Sequence, residues 1–566
     1  MKNIVGSGIR VVMLLAIVPA FLTVAAVIGN MSPQYDLLIV HGHIIDGTGS
    51  PWFEGSVAIK DGKIAEIGRL TNASARKTID AQGQIVAPGF IDLHSHSDFT
   101  LLVDGKAESK IRQGVTTEIL GESSSAGPVE GAGIADLDLQ LSPLGLHRDW
   151  KTLGEYFSRI TRQGISVNIA SYVGSGQVRL DVMGNVDRAP TTAEMEKMKG
   201  LVAQAMADGA IGLSSGLIYP PNSYATTEEL IELARVAARN GGIYTTHMRT
   251  EGANSPAAID EAIRIGREGG LPVHILHLKS YGQANWGRMA SYVKQIQAAR
   301  DQGLDITADI YPYIATETGL NMTLPTEFLE GTTDQVLSRL KDPATRASIR
   351  AELEHGPADE TEAGAVGVWH NVLVGSIQSP EFKKYEGKRV DEIAQMMGKD
   401  PLDVVCDLLI ADRGQTPAIY FAMTEDDVRE AMKQPWVGFG SDGQAVNPSM
   451  EFASKPHPRY YGTFPRVLGN YVREQDVLTL AEAIRKMTSF AAQIAGIEDR
   501  GVLRPGMAAD VTIFDPNTVI DRATFTDPAE YPVGINYVIV NGVVVISQGQ
   551  HTDAKPGRVL YGRGKT

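Results

Sequence analysis

The chain has 566 residues and a formal net charge of −15 at pH 7, which makes nucleic acid and anionic membrane surfaces poor partners. Its 43% hydrophobic and 21% charged content is that of a globular enzyme, and its length suits a large α/β barrel with appendages better than one minimal domain. The single cysteine, Cys406, excludes an internal disulfide and a cysteine-cage metal site, and its setting in DVVCDLLI reads as helical core.

Residues 1–30 open with Lys2 and Arg10 ahead of the uncharged run VVMLLAIVPAFLTVAAVIG. That layout is an export signal, and the run is also long enough for an uncleaved membrane anchor over residues 11–29. Pro19 and the small residues near the end of the run favour the signal; either way the folded part is expected in the periplasm or outside the cell. From 35 to 88, short alternating segments punctuated by DG, KDGK and QG read as an antiparallel β unit. The same texture returns over 500–560 in MAADVTIFDP and INYVIVNGVVVISQGQ, so the two ends of the chain are expected to build one β-sandwich.

Between them, over 89–499, eight short apolar strand candidates alternate with helical patterns or long loops: IVAPGFIDL (its first residues overlapping the β unit), GVTTEILGE, VNIASYVG, AIGLSSGL, IYTTHMR, PVHILHLK, DITADIYPY and WVGFGSDG. Stretches such as TTAEMEKMKGLVAQAMADG have apolar spacings of three and four and end at glycine, as helices do. The expected fold is therefore α/β, a (β/α)8 TIM-type barrel of eight strand–helix units carrying the terminal β-sandwich. Residues 325–434 are too many for one crossover helix and are expected to form an inserted, mostly helical, lid-like subdomain between strands seven and eight.

A barrel of this kind builds its site at the C-terminal ends of its strands. His94 and His96, at i and i+2, point the same way on a strand. By itself that pair serves a metal ion or two solvated loop histidines equally well. Its company decides: Glu122 ends strand two, His247 strand five, His277 strand six and Asp442 strand eight. Four histidines and two carboxylates at one barrel mouth predict a site for one or two divalent metal ions, and imidazole with carboxylate suits zinc. Zinc with an open position lowers the pKa of its water to about 7.

The segments GFIDLHSHSD, QGVTTEILGE, GLSSGLIYPPNSYATTEEL, YTTHMRTEG, HILHLKS, DIYPY, GSDG, KPHPRYYGTFPRVLG and GVLRPGMAADVTIFDP run in order over residues 35–560. They resemble the motifs of the amidohydrolase superfamily and, within it, of the N-acyl-D-amino-acid deacylase (D-aminoacylase) family. The resemblance implies hydrolysis of the amide of an N-acyl-D-amino acid to a carboxylate and a free D-amino acid by zinc-bound hydroxide. It puts His94 and His96 on the more weakly held metal, His247 and His277 on the tighter one, and Asp442 beside them as ligand and acid/base. Tyr219, Lys279, Tyr311 and Arg459 match substrate-contacting positions, Lys279 and Arg459 through the substrate carboxylate. By residue type alone the two cations also read as solvated or salt-bridged side chains, and the tyrosines as packing over the barrel rim.

Two departures stand out. Family members often carry a cysteine ligand after strand two in a GNC-type motif; here the run is GESSS, so Glu122 is expected to bridge the metals in its place, serine being a poor zinc ligand. Ser175 in VGSG stands where relatives often have histidine. His274 is expected to be structural, and His41 and His43 lie in the terminal β unit, away from the barrel mouth. His457 is either a loop residue or a supporting one. The alternative substrates are a dipeptide, an amide toxin or a cyclic amide as in dihydroorotase- or hydantoinase-like relatives. The last generally needs a carboxylated lysine on strand four, and AIGLSSGL has none.

Overall fold

The computed structural model describes residues 1, 33–355 and 366–566. Eight barrel positions are filled in chain order by Phe90–Asp92, Val115–Leu120, Asn168–Ser171 continued by Val173–Gly174, Gly212–Gly216, Ile243–His247, Val273–Ile275, Ile306–Ile310 and Val437–Phe439. Successive strands pair in parallel. The eighth returns to the first through the Leu93 amide on the Phe439 carbonyl (3.3 Å), the Asp442 amide on that of His94 (2.8 Å) and the His96 amide on that of Gly443 (3.0 Å). Strands two, three, four and seven are buried along their whole length, because side chains fill the barrel and helices cover it. The covering helices start where the sequence signals them: Thr191 and Glu194 form a reciprocal capping box ahead of Thr192–Asp208, which ends at the left-handed Gly209.

IVAPGFIDL, read from the sequence as one strand, is two. Ile85–Pro88 pairs antiparallel with Val511–Phe514, whereas Phe90–Asp92 opens the barrel. Gly89 separates them, since a Cβ there would lie 2.2 Å from Thr116 Oγ1. The two ends of the chain contribute to a single nine-stranded sheet, with Tyr35–Ile44 pairing Phe53–Lys60 on one side and both Ala75–Asp80 and Ile85–Pro88 on the other. Ile39, Ile59, Val86, Ala509 and Ile513 share its core. The C-terminal contribution stops at Gln550–His551. Beyond it the chain runs along the third barrel strand, the Leu560 amide donating to the Ile169 carbonyl at 2.7 Å. A buried network ties sheet to barrel: Asp510 accepts from Asn168 Nδ2 (3.0 Å), from the Asn541 amide (2.6 Å) and from Arg500.

The segment between strands seven and eight contains helices Thr333–Leu340, Pro343–His355, Val390–Met397 and Pro401–Ala411. It also contains an antiparallel sheet of Thr316–Gly319, Pro417–Tyr420 and Val372–Val374, so the insertion is mixed rather than mostly helical. Strands of three and four residues are too short to show alternation in a sequence. The insertion has its own core, which holds Cys406. The stretch read as an export signal or anchor falls on residues 2–32, outside the described residues. Among the described residues no helix is long and apolar enough to cross a membrane.

Candidate metal centre

All six predicted metal-binding side chains meet at the C-terminal mouth of the barrel. His94 and His96 follow the first strand, with ring centroids 5.0 Å apart. Glu122 follows the second, His247 ends the fifth, His277 lies two residues past the sixth and Asp442 in the turn after the eighth. Ser123, His277 and Asp442 have φ of 54°, 35° and 49°. Left-handed backbone at a non-glycine residue costs about 1–3 kcal/mol and survives only where neighbours over-determine it. Here the His277 amide donates to Asp309 Oδ1 at 2.8 Å and the Asp442 amide to the His94 carbonyl at 2.8 Å. Below, the fully buried Lys110 Nζ donates to Asp92 Oδ2 at 2.8 Å and to the Gly443 carbonyl at 2.9 Å, pinning the turn that carries Asp442.

Glu122 is the hub. One carboxylate oxygen touches His94 Nε2 and lies 3.2 Å from His96 Nε2; the other lies 3.4 Å from His247 Nδ1. Asp442 Oδ1 is 3.0 Å from His96 Nε2 and 3.6 Å from His94 Nε2. Two donor sets result, His94–His96–Glu122–Asp442 and Glu122–His247–His277, each with its ligand atoms within 4.8 Å of one another. The second oxygen of Glu122 is buried without a hydrogen-bond partner, which a cation between it and His247 would satisfy. The residues therefore fit one or two divalent ions.

The charges of the cluster are mutually supported. Burial works to raise Glu122, but the charge of His94 and the close approach of His247, His94 and His96 hold it well below the usual carboxylate range. Burial likewise opposes ionisation of Asp442, yet Arg459 and His94 keep it well below its ordinary value. Against its own burial, His96 is pushed up to about 10 by its hydrogen bonds to Asp442 and Glu122. Burial and the charge of Lys279 drive His277 down to about 4, toward the neutral imidazole that ligates metals.

A buried carboxylate not singled out in the sequence stands behind both histidines of the second set. Glu251 lies 3.0 Å from His277 Nδ1 and 3.7 Å from His247 Nε2, and binds Lys279 Nζ at 2.7 and 2.8 Å. Its only sequence signal is its place in THMRTEG, four residues after His247. The guanidinium of Arg459 is 3.0 Å from Asp442 Oδ2 and 4.7 Å above the Tyr311 ring, with Lys279 5.7 Å from the same ring. Tyr219 packs its ring 5.1 Å from His247 and accepts from Thr318 of the insertion at 3.1 Å. Tyr219 and Arg459 wall a cavity of about 1240 Å³ shared by barrel and insertion, whereas Lys279 and Tyr311 line a small pocket on the other side of His277.

The remaining candidates sit elsewhere. His274 is bonded to Thr307 and Asp309 in the core. His41 is exposed beside Asp80, and His43 stacks on Trp52. Ser175 is buried against Asn222. His457 supports Arg459, accepting its amide at 3.0 Å while its Nε2 meets the Ala315 carbonyl.

A model of the amidohydrolase family matches residues 77–546. The chain belongs to that family. This amidohydrolase is 38% identical to the D-aminoacylase of Alcaligenes xylosoxydans xylosoxydans over 94% of its own length and 98% of the relative's. It is 36% identical to the N-acyl-D-glutamate deacylase of the same organism, covering 94% and 97%. Among solved structures, the N-acyl-D-glutamate deacylase of Bordetella bronchiseptica, in complex with zinc and a phosphonate mimic of the tetrahedral intermediate, superposes with a TM-score of 0.79 at 35% identity, covering 93% and 99%. A crystal structure of D-aminoacylase gives 0.77 at 35%, covering 93% and 100%.

Proposed function

We propose that this amidohydrolase cleaves the amide bond of N-acyl-D-amino acids, releasing a carboxylate and a free D-amino acid, with zinc as its metal. The convergence of four histidines and Asp442 around Glu122 carries the reading, in a chain 35–38% identical to D-aminoacylase and the N-acyl-D-glutamate and N-acyl-D-aspartate deacylases. His94, His96, Glu122 and Asp442 would hold one ion and His247, His277 and Glu122 a second. Zinc held there would supply a Lewis acid for the acyl carbonyl and lower the pKa of water toward neutrality.

The side chains supply the rest. Asp442, ionised and 3.0 Å from His96, accepts the proton of the attacking water and returns it to the amine nitrogen as the C–N bond breaks, because an amide nitrogen leaves only when protonated. Arg459 holds the other Asp442 oxygen and is the cation of the cavity wall that takes the substrate carboxylate, while Lys279, held by Glu251, adds its charge from behind the Tyr311 ring. Glu251 fixes the two histidines of the second set from behind. The fourth strand carries Ser214 and Ser215 and no lysine, which favours linear over cyclic amides. Export rests on the sequence of residues 1–30 alone.

The test is metal dependence. Chelation should abolish hydrolysis of N-acetyl-D-amino acids and zinc should restore it; full activity in metal-free protein would sink the proposal.

A further inference from the structure

The relatives named above differ in the side chain they accept, and identities of 38, 36 and 35% do not choose among them. The cavity wall does. Any N-acyl-amino acid brings one carboxylate, for which Arg459 is the cation at hand; an acidic side chain brings a second. Beyond the carboxylates of the metal centre, Asp98, Asp136, Asp138, Glu317 and Asp334 stand on that wall. Among the described residues its cations other than histidine are Arg459 and Arg413. Arg413 is exposed and already bound to Asp334 at 2.9 Å. Among the described residues no uncommitted cation on this wall awaits a second anion.

Of these, Glu317 is the one that stands beside Arg459. It sits in the first strand of the insertion's sheet, with its own carbonyl accepting from Arg459 Nη2 at 3.2 Å. One of its carboxyl oxygens is buried without a hydrogen-bond partner, so it stands ready to accept from a ligand and to oppose an anion. Burial raises its pKa, Arg459 and the Tyr460 hydroxyl working against that rise.

Resting on the deacylase reading, we propose that the side-chain subsite excludes a second carboxylate, so that the substrates are N-acyl-D-amino acids with neutral or hydrogen-bond-donating side chains, and that Glu317 is a residue that enforces the choice. Specificity of this kind comes from an unpaired like charge set against the wrong substrate rather than from added contacts to the right one.

The zinc holoenzyme is assayed with N-acetyl-D-leucine, N-acetyl-D-glutamate and N-acetyl-D-aspartate, and binding of free D-leucine and D-glutamate is measured by calorimetry. The expected kcat/KM for the leucine derivative exceeds those of the acidic ones by at least about 100-fold, the scale on which an unmatched buried polar group is rejected. Glu317→Gln keeps the shape and should move the glutamate-to-leucine ratio up about tenfold by removing one opposing charge. Equal rates, or a ratio unmoved by Glu317→Gln, overturn the proposal. If no D-substrate turns over, the deacylase reading fails by itself, and the two calorimetric affinities still decide: D-leucine well ahead supports the exclusion, and parity refutes it.

Discussion

Removing the charge of Glu122 should dismantle the metal centre without unfolding the barrel. Its carboxylate is the group shared by both donor sets and reaches His94, His96 and His247 within 3.4 Å. Glu122→Gln keeps the volume, leaves one carbonyl oxygen for two metal positions and discards the negative charge that both histidine groups face. Losing a residue that merely orients a ligand typically weakens metal binding 10–100-fold. A shared ligand should therefore cost at least about 100-fold in zinc affinity, or about 2.7 kcal/mol. Zinc content after gel filtration, and chelator competition on the refilled protein, measure both stoichiometry and affinity; an unchanged thermal transition of the metal-free form shows that the fold persists. Ser123→Ala, one residue on, serves as the control and should retain its zinc. If Glu122→Gln keeps full stoichiometry and affinity while Ser123→Ala loses them, Glu122 is no ligand and the assignment moves to the serine.

Asp442→Asn should lower kcat by at least about 1000-fold, within the range of general acid–base catalysis, and residual activity within tenfold of wild type would exclude it as the proton carrier. In metal-free protein His96 has its pKa raised to about 10 from 6.5, so its contribution to stability is complete below pH 6.5 and fades as pH climbs through 10. The melting temperature of metal-free protein should accordingly fall over that window while that of the zinc form changes less; parallel profiles would contradict the linkage. Arg179 is fully buried against Glu229 at 3.1 Å, so Arg179→Met strands a buried carboxylate and should cost about 3–5 kcal/mol in urea unfolding. A loss below about 1 kcal/mol would show that Glu229 finds water or a proton instead.

The barrel strands were legible because short, largely uncharged runs alternate with helical patterns, and because five of the eight runs lead into a His, Glu or Asp at their C-terminal end. HxH after FIDL, and the histidines and aspartate of TTHMR, PVHILHLK and GSDG, carry that contrast within a few residues. Glu122 was legible for the same reason, ending GVTTEIL, although the family pattern pointed one residue further. What stayed hidden has a common cause. Glu251, Glu317 and Lys110 matter through partners 28 or more residues away: Lys279, Arg459 and Gly443 are brought to them by tertiary packing alone. The small sheet of the insertion pairs Thr316–Gly319 with Pro417–Tyr420 across about a hundred residues, beyond any local pattern. The single run IVAPGFIDL concealed a boundary, because Gly89 breaks two strands without interrupting the apolar sequence. Lys279, matched by position to a substrate carboxylate, has Glu251 as its partner in the structure, a contact that no local pattern announces.

The most direct measurement of the central claim is chiral analysis of the amino acids that the zinc-loaded protein releases from racemic N-acetyl-amino acids. The account predicts release of D-amino acids, with the L-enantiomers left acylated, and loss of that release in Asp442→Asn. Release of both enantiomers at equal rates, or of none while zinc is bound at the site, would contradict it.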